Sequence, residues 1–181
     1  MTARVRASIA DLIATRGKAE LVGGELVVMS PTGYKPGRAA AKILRSLLRH
    51  EETHGGGKAI GDNVGFLVDL PDRQSFSPDA CWLTGPTGDM SFVKGAPAFA
   101  VEVRSENDYG PKAEEALARK RADYFAAGTL VVWDVDLLSP DVVRAFRATD
   151  PARPITYRRG EVADAEPAVP GWRMPVDELF D

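Results

Sequence analysis

The sequence is poor in several residue types, and each scarcity excludes a class of protein. It has one cysteine, Cys81, so an internal disulfide cannot form and a reducing compartment is expected. It has two histidines, His50 and His54, so a zinc site with three histidine ligands is excluded. No apolar run approaches the roughly 20 residues of a membrane span, and residues 1–20 lack the apolar core of a signal peptide. We therefore expect a cytoplasmic protein that does not enter membranes.

Neither sign of charge dominates the composition. The chain has 23 Lys and Arg residues against 26 Asp and Glu residues, a formal net charge of -3. This balance does not indicate a nucleic-acid partner, but a total says nothing about how the charges are distributed. The hydrophobic content of 44% and the length of 181 residues are ordinary for a globular protein with a sizeable core. Since no repeat or linker divides the chain, we expect a single domain over residues 1–181.

Hydrophobic spacing and turn residues predict an order of helices and strands. A hairpin is expected at residues 20–29, where Gly23 and Gly24 can adopt the positive φ values of a tight turn and place Val22 opposite Glu25. The predicted helices cover residues 7–15, 37–54 and 111–127. The predicted strands cover residues 64–68, 77–83, 97–104, 129–135, 142–147 and 155–158, with a loop at residues 71–74 and aromatic packing by residues 170–180.

Two carboxylates and a lysine interrupt the apolar pattern of these elements. Asp79 stands at the start of the strand at 77–83, and Glu102 ends an otherwise apolar run in the strand at 97–104. Lys120 lies on the same helical face as Leu117 and Tyr124, inside the apolar stripe of its helix. A lysine in that position must extend to solvent, pair with an acid or lose its proton.

The group formed by Asp79, Glu102 and Lys120 has two interpretations. Carboxylates at strand ends can hold a hard cation such as Mg²⁺, and a nearby lysine can position or deprotonate a water and offset charge on a phosphate. Alternatively, Asp79 caps a turn and Glu102 pairs with Arg104 or Lys120 in a structural ion network. The placement of Lys120 on the inward helix face favours the first interpretation.

Two other charged groups are open to both functional and structural interpretations. On the predicted hairpin, Glu20 and Glu25 share a face, so either could complete a metal site or both could face solvent. On the helix at 37–54, basic residues fall at spacings of four, three and four and form a line that could contact phosphates or be a solvated face. The members of this basic line are Arg38, Lys42, Arg45 and Arg49.

The segment His50-Glu51-Glu52-Thr53-His54 matches a pattern that places two zinc ligands on successive helix turns. Three glycines follow at once, and a third ligand would have to be a distant carboxylate. A polar helix C-terminus explains the same residues, because histidines there suit the negative end of the helix dipole. A zinc peptidase is therefore the weakest of the functional hypotheses.

The order and spacing of these segments resemble one known family. The segments that carry the resemblance are Glu20-Leu-Val-Gly-Gly-Glu-Leu-Val-Val-Met-Ser-Pro, Ser77-Pro-Asp79, Val101-Glu102-Val-Arg-Ser105, Lys120 with Asp123-Tyr124, Ala127-Gly128 and Val132-Trp133-Asp134-Val-Asp136. Together they resemble the Uma-type restriction endonucleases, a branch of the PD-(D/E)xK nuclease superfamily. The similarity extends over nearly the whole chain, and it rests on the order of the motifs because none is specific alone.

The resemblance implies an α/β fold with a restriction-endonuclease-like core, in which helices flank a central mixed β-sheet and a β-hairpin precedes it. It implies Asp79, Glu102 and the carbonyl of Val103 as Mg²⁺ ligands and Lys120 as the lysine of the site. Arg104 stands where the wider superfamily has its lysine, and because arginine stays protonated it could bind a phosphate but not act as a base.

The leading hypothesis is a metal-dependent DNA endonuclease that uses Mg²⁺, with Mn²⁺ as a substitute. Asp79, Glu102 and Lys120 would carry the reaction, with support from Glu20 or Glu25. The alternative is a non-catalytic nucleic-acid-binding or interaction module that retains the nuclease fold and uses the basic line as its surface. The resemblance also implies a homodimer, because many nucleases pair subunits to cut two strands.

Overall fold

The computed structural model describes residues 6–180. The helices are α1 (Ile9–Ala14), α2 (Tyr34–His54) and α3 (Pro111–Ala126), and a 3₁₀ turn covers Val176–Leu179. The strands are β1 (Ala19–Val22), β2 (Glu25–Val28), β3 (Lys58–Gly61), β4 (Phe66–Leu70), β5 (Arg73–Phe76), β6 (Ala80–Leu83), β7 (Val93–Lys94), β8 (Phe99–Val103), β9 (Val131–Val135), β10 (Val143–Arg147), β11 (Asp150–Tyr157), β12 (Val162–Asp164) and β13 (Arg173–Pro175).

The strands form two large sheets and one small one. The central sheet has six strands in the order β11-β10-β9-β8-β6-β3, and it is mixed because β8 and β9 are parallel while its other pairs are antiparallel. The second sheet has five strands in the order β2-β1-β5-β4-β7, and β12 pairs with β13 alone. The predicted fold class, a central mixed sheet with flanking helices and an N-terminal hairpin, is confirmed.

The two faces of the central sheet are covered differently, because successive strand residues point to opposite sides. On one face, Trp82, Val101 and Trp133 belong to a buried cluster that includes Ile43 and Leu47 of α2. On the other face, a second buried cluster includes Cys81, Ala100 and Val132 of the central sheet. It joins them to Tyr124 of α3 and to Phe66 and Phe76 of the second sheet. By alternation, Glu102 lies on the second face, between the central sheet and α3.

The hairpin formed by β1 and β2 has the predicted register. Gly23 and Gly24 have φ values of 58° and 81°, and Val22 is opposite Glu25. A side chain at either position would be strained, so glycine suits this turn. Glu20 is opposite Val27, and β1 also pairs with β5 through Val22 and Arg73. The hairpin therefore joins the second sheet through β1.

Three predicted elements differ from the structure. Helix α2 begins at Tyr34, before residue 37, because a proline such as Pro36 is tolerated in a first helical turn. The loop prediction at residues 71–74 is wrong in its second half, since Arg73 begins β5 and its charge is satisfied inside the protein. Strand β11 is longer than predicted and contains Pro151 and Pro154, which fits its position at the edge of the central sheet.

The C-terminal segment packs its aromatic residues onto the central sheet, as predicted. Trp172 is 2% exposed, and its ring centroid lies 5.0 Å from that of Trp133 and 5.6 Å from that of Phe99. Its indole N–H donates to Ser46 Oγ of α2 at 3.0 Å. Trp172 thus connects the C-terminus to both the sheet and α2. Within residues 6–180, no helix combines the length and the apolar character that crossing a bilayer requires.

Candidate active site

Asp79 lies at the junction of β6 and β8, because its backbone and its side chain both bond to β8. Its amide donates to the carbonyl of Val101 at 3.0 Å, and the amide of Val103 donates to Asp79 Oδ2 at 2.8 Å. Pro78 precedes Asp79 and has no backbone N–H to donate to a neighbouring strand, so β6 begins only after it, at Ala80. The position of the Asp79 carboxylate is therefore fixed by the main chain of β8.

Lys120 of α3 forms ion pairs with two glutamates from different sheets. Its Nζ lies 2.8 Å from Glu102 Oε2 and 2.8 Å from Glu20 Oε1, and its side chain is 14% exposed. The hydroxyl of Tyr124, one helical turn further, donates to Glu102 Oε1 at 2.7 Å. Since residues i and i+4 share a helix face, one stripe of α3 supplies both partners of Glu102. The predicted inward direction of Lys120 is confirmed.

Glu20 connects this pair to the second sheet through bonds on both of its oxygens. Oε2 accepts from Arg73 Nη1 at 2.6 Å, and Oε1 accepts from the amide of Ser77 at 2.9 Å as well as from Lys120. Arg73 also donates from Nε to Asp123 of α3 at 2.7 Å. Of the two hairpin glutamates, the structure brings Glu20 to Lys120. Glu25 lies exposed on β2.

Lys18 is not among the site residues predicted from the sequence, yet it forms an ion pair with Asp79 as Lys120 does with Glu102. Lys18 Nζ lies 2.7 Å from Asp79 Oδ1 and 2.6 Å from Asp62 Oδ1, and the Lys18 side chain is 18% exposed. The signal was present in the strand period of two, which puts residue 18 on the same side as Glu20. Burial alone would lower the pKa of Lys18, but the Asp79 and Asp62 carboxylates outweigh it and raise that pKa.

Burial and neighbouring charges perturb both members of the central ion pair. The pKa of Glu102 is raised to about 7, mainly by burial. Lys120 lowers this pKa, but repulsion from the Asp79 and Glu20 carboxylates opposes the lysine. Burial acts in the opposite direction on Lys120, yet the two glutamates outweigh it and raise the lysine pKa. Lys120 is therefore the protonated partner. For Glu20, Lys120 and Arg73 outweigh burial and lower the pKa.

A pocket of about 170 Å³ opens beside Asp79. Its charged side is formed by Asp62 and Asp79, with Val103 next to them. Its other side is apolar and consists of the N-terminal half of α2 and the residues before it: Thr32, Pro36, Gly37, Ala40, Ala41 and Leu44. Asp79 and Val103, two of the three predicted ligands, therefore line one space that a small group could enter, and Glu102 is not part of its lining.

The donor set fits a magnesium ion that retains several waters. Asp79 and Glu102 supply carboxylate oxygens, the hard ligands that Mg²⁺ prefers, and the predicted carbonyl of Val103 is of the same kind. Each oxygen of the two carboxylates already accepts one hydrogen bond, from Lys18, Val103, Tyr124 or Lys120, and a carboxylate oxygen has a second lone pair. Among the residues that the structure describes, no three acidic, histidine or cysteine side chains converge as a metal-binding group. Carboxylate and carbonyl oxygens are hard ligands, which suit Mg²⁺ more than Zn²⁺.

Arg104 is engaged in a separate ion cluster beside the site. Its Nε and Nη2 donate to the two oxygens of Asp134 at 2.7 and 2.9 Å, and Nη1 donates to Glu114. Arg121 and Arg144 also approach Asp134, at 3.5 and 2.9 Å. The Arg104 side chain is 2% exposed, so a phosphate contact would require it to leave one of these carboxylates.

The residues of the basic line predicted on α2 differ in their exposure to solvent. Arg38, Arg45 and Arg49 are exposed, whereas Lys42 is half-buried and donates from Nζ to the carbonyl of Phe180 at 2.5 Å. The pocket residues and the buried residues of α2 lie on other faces of the helix. The line therefore does not point into the pocket beside Asp79.

The histidine pair of α2 is not arranged to bind one metal ion. The rings of His50 and His54 stack with centroids 4.5 Å apart and planes inclined by 16°. Imidazole lone pairs lie in the ring plane, so stacked rings do not direct them at a common point. Glu51 is occupied by Lys58 Nζ and the amide of Ala59, both at 2.8 Å. The residues instead close the end of α2 against β3.

The mixed central sheet with flanking helices agrees with the fold that the sequence resemblance implies. The chain belongs to the Uma2 family, described as "Putative restriction endonuclease", whose model matches residues 8–177. A solved structure described as "a putative nuclease belonging to DUF820", from Anabaena variabilis ATCC 29413, superimposes with a TM-score of 0.74 and covers 94% of this chain and 96% of its own. It is 12% identical, so the likeness shows the fold alone. Comparison with curated proteins finds no match.

Proposed function

We propose that this protein is a metal-dependent endonuclease that hydrolyses phosphodiester bonds of DNA, with Mg²⁺ as its cation and Mn²⁺ as a substitute. The observation that carries the proposal is the largely buried Lys120 ammonium of α3 between Glu20 and Glu102. Glu102 lies on β8, which pairs with the strand that follows Asp79. A perturbed carboxylate and lysine in one cleft are typical of catalytic sites. The family description supports the same activity, and the structure described as a putative nuclease shares the fold.

In this proposal, Asp79, Glu102 and the carbonyl of Val103 hold the cation. When bound, it supplies positive charge for the phosphate oxygens and makes a coordinated water more acidic. The main-chain bond from Val103 to Asp79 Oδ2 orients that carboxylate, and Tyr124 does the same for Glu102. These bonds hold the two acids in place before substrate arrives, so little reorganisation is needed during the reaction.

Lys120 acts in this proposal as a hydrogen-bond donor rather than as a base. Its pKa is raised by Glu102 and Glu20 despite burial, so Nζ keeps its proton and can donate to the attacking water or to a phosphate oxygen. Glu20 fixes the direction of the ammonium group, and Arg73 in turn fixes Glu20. The role of Glu20 is thus positioning, through a residue that contacts the reacting groups.

Cleavage of supercoiled plasmid tests this proposal. Wild-type protein is expected to nick or linearise DNA with Mg²⁺ or Mn²⁺ and to do neither with chelator. Lys120→Met and Asp79→Ala are expected to lose activity by at least about a hundredfold, the scale of an electrostatic group at a reacting centre. Lys112→Met is the matched control, because Lys112 is an exposed lysine at the start of the same helix.

Two results would contradict the nuclease proposal. Full activity in a folded Lys120→Met variant would remove the lysine from the reaction, and cleavage by wild-type protein in chelator would remove the metal. If wild-type protein binds DNA equally well in chelator and never cuts it, the interaction-module hypothesis replaces the enzyme.

Arg45→Glu tests whether the basic line of α2 is then the DNA-binding surface, because Arg45 lies exposed in that line. The variant should bind DNA more weakly than wild type. The proposed homodimer is tested by light scattering of the purified protein.

A further inference from the structure

Lys18 places its ammonium group on one of the two oxygens of Asp79, a predicted metal ligand. Asp79 Oδ2 accepts from the backbone amide of Val103, a bond that belongs to the junction of two strands. Asp79 Oδ1 accepts from Lys18 Nζ at 2.7 Å. Each of these oxygens has a second lone pair, but Oδ1 is the one whose present partner is a side chain that can move away. A divalent ion and an ammonium group on one carboxylate oxygen repel each other strongly where water is scarce.

Asp62 gives Lys18 a second carboxylate within reach. Lys18 Nζ lies 2.6 Å from Asp62 Oδ1, so the lysine bridges Asp62 and Asp79 without favouring one by distance. The Asp62 side chain is 50% exposed, whereas that of Asp79 is 22% exposed. Both acids line the pocket beside α2. A small rotation of the Lys18 side chain would thus leave its charge paired by Asp62 while freeing Asp79.

We propose that Lys18 is a displaceable substitute for the metal ion, which neutralises Asp79 when no cation is bound and pairs with Asp62 alone when the cation binds. The inference rests on the proposed function, because it assumes that Asp79 is a metal ligand. It adds a role for two residues, Lys18 and Asp62, that the sequence analysis did not identify. Lys18 opposes metal binding in this scheme, and Asp62 assists it by holding the displaced ammonium.

The test is calorimetric titration of the full chain with Mn²⁺ in the absence of DNA. Lys18→Met is expected to bind Mn²⁺ about tenfold more tightly than wild type, because the competing charge is gone. Asp62→Asn is expected to bind roughly threefold more weakly, because Lys18 then has only Asp79 as a partner. In the Lys18→Met background, Asp62→Asn is expected to have no effect. If Lys18 and Asp62 acted only through their charges, their effects on the free energy of Mn²⁺ binding would add. Non-additive effects therefore indicate displacement of Lys18.

Control variants keep the outcome interpretable. Lys58→Met removes the same charge from a surface pair with Glu51 and should leave Mn²⁺ affinity unchanged. Lys18→Gln replaces Lys18→Met if the methionine variant does not fold, as judged by thermal unfolding. Asp79→Ala should abolish binding in every background.

The Lys18 proposal and the metal assignment fail in different ways. Equal or weaker Mn²⁺ binding by folded Lys18→Met or Lys18→Gln, with binding still lost in Asp79→Ala, would overturn the role of Lys18 while leaving the metal site intact. Additive effects of the Lys18 and Asp62 changes would overturn the displacement scheme as well. Absence of Mn²⁺ binding in both wild type and Lys18→Met would overturn the metal assignment and the Lys18 proposal together.

Discussion

Replacing Glu102 with Gln should change how the stability of the metal-free protein depends on pH. The pKa of Glu102 is raised from its ordinary value of 4.5 to about 7, mainly by burial. The folded protein therefore holds a proton that the unfolded chain has already lost between these two values. Because the folded state binds more protons in that window, the free energy of unfolding falls as pH rises through it.

The size of the effect follows from the two pKa values. Between about pH 5.5 and about pH 8, wild-type protein should lose about 2 kcal/mol of unfolding free energy through Glu102, given about 1.4 kcal/mol for each pKa unit of difference. A glutamine cannot ionise, so Glu102→Gln should not show this loss. Removing the ion pair with Lys120 shifts the absolute stability of the variant, and the comparison is therefore of slopes and not of single values.

Urea titrations of both proteins across this pH range, in chelator, measure the difference. Glu51→Gln is the matched control, because hydrogen bonds from Lys58 and from the backbone lower the pKa of Glu51. The stability that Glu51 contributes is lost only as pH falls below 4.5, so its slope between pH 5.5 and pH 8 should equal that of wild type. Parallel stability curves for wild type and Glu102→Gln would refute a raised pKa for Glu102.

Three further outcomes are expected from the core and its charges. Trp172→Ala should cost about 3–5 kcal/mol in urea unfolding, because a 2% exposed side chain between the sheet and α2 is removed. Cys81 should react with a thiol reagent only on unfolding, because it is 0% exposed and burial raises its pKa; rapid modification of native protein would contradict this. Asp134→Asn should cost about 3–5 kcal/mol, since Arg104, Arg121 and Arg144 would lose their shared carboxylate, and unchanged stability would show that the cluster is not structural.

Strong local patterns in the sequence predicted most of the elements and one essential feature of the site. The apolar runs of β8 and β9 and the turn glycines of the hairpin fixed the type and place of those strands. Lys120 was recognised as inward-facing because a charge inside an apolar stripe needs a partner, and the structure supplies Glu102 and Glu20. The alternation of side chains along strands cannot decide which hairpin glutamate points inward, because it puts Glu20 and Glu25 on the same face.

The remaining parts depended on contacts between residues distant in the chain. Arg73 looked like a loop residue because its sequence neighbours are polar, but Glu20 and Asp123 satisfy its charge inside the protein. The side-chain alternation of strands puts Lys18 on the side of Glu20, but its partners Asp62 and Asp79 are brought to it only by the fold. Long-range ion pairs of this kind leave no periodic trace in a single sequence, so local pattern could not find them.

The charged cluster cannot form early in synthesis of the chain, because it needs a lysine from α3. Lys18 and Glu20 are made about 100 residues before Lys120, which pairs with Glu20. A nascent chain that stops before α3 holds Asp79 and Glu102 with no lysine from that helix against them. A truncated product of a stalled ribosome therefore cannot assemble the cluster. The cell is exposed to whatever chemistry the cluster performs only after α3 has been made.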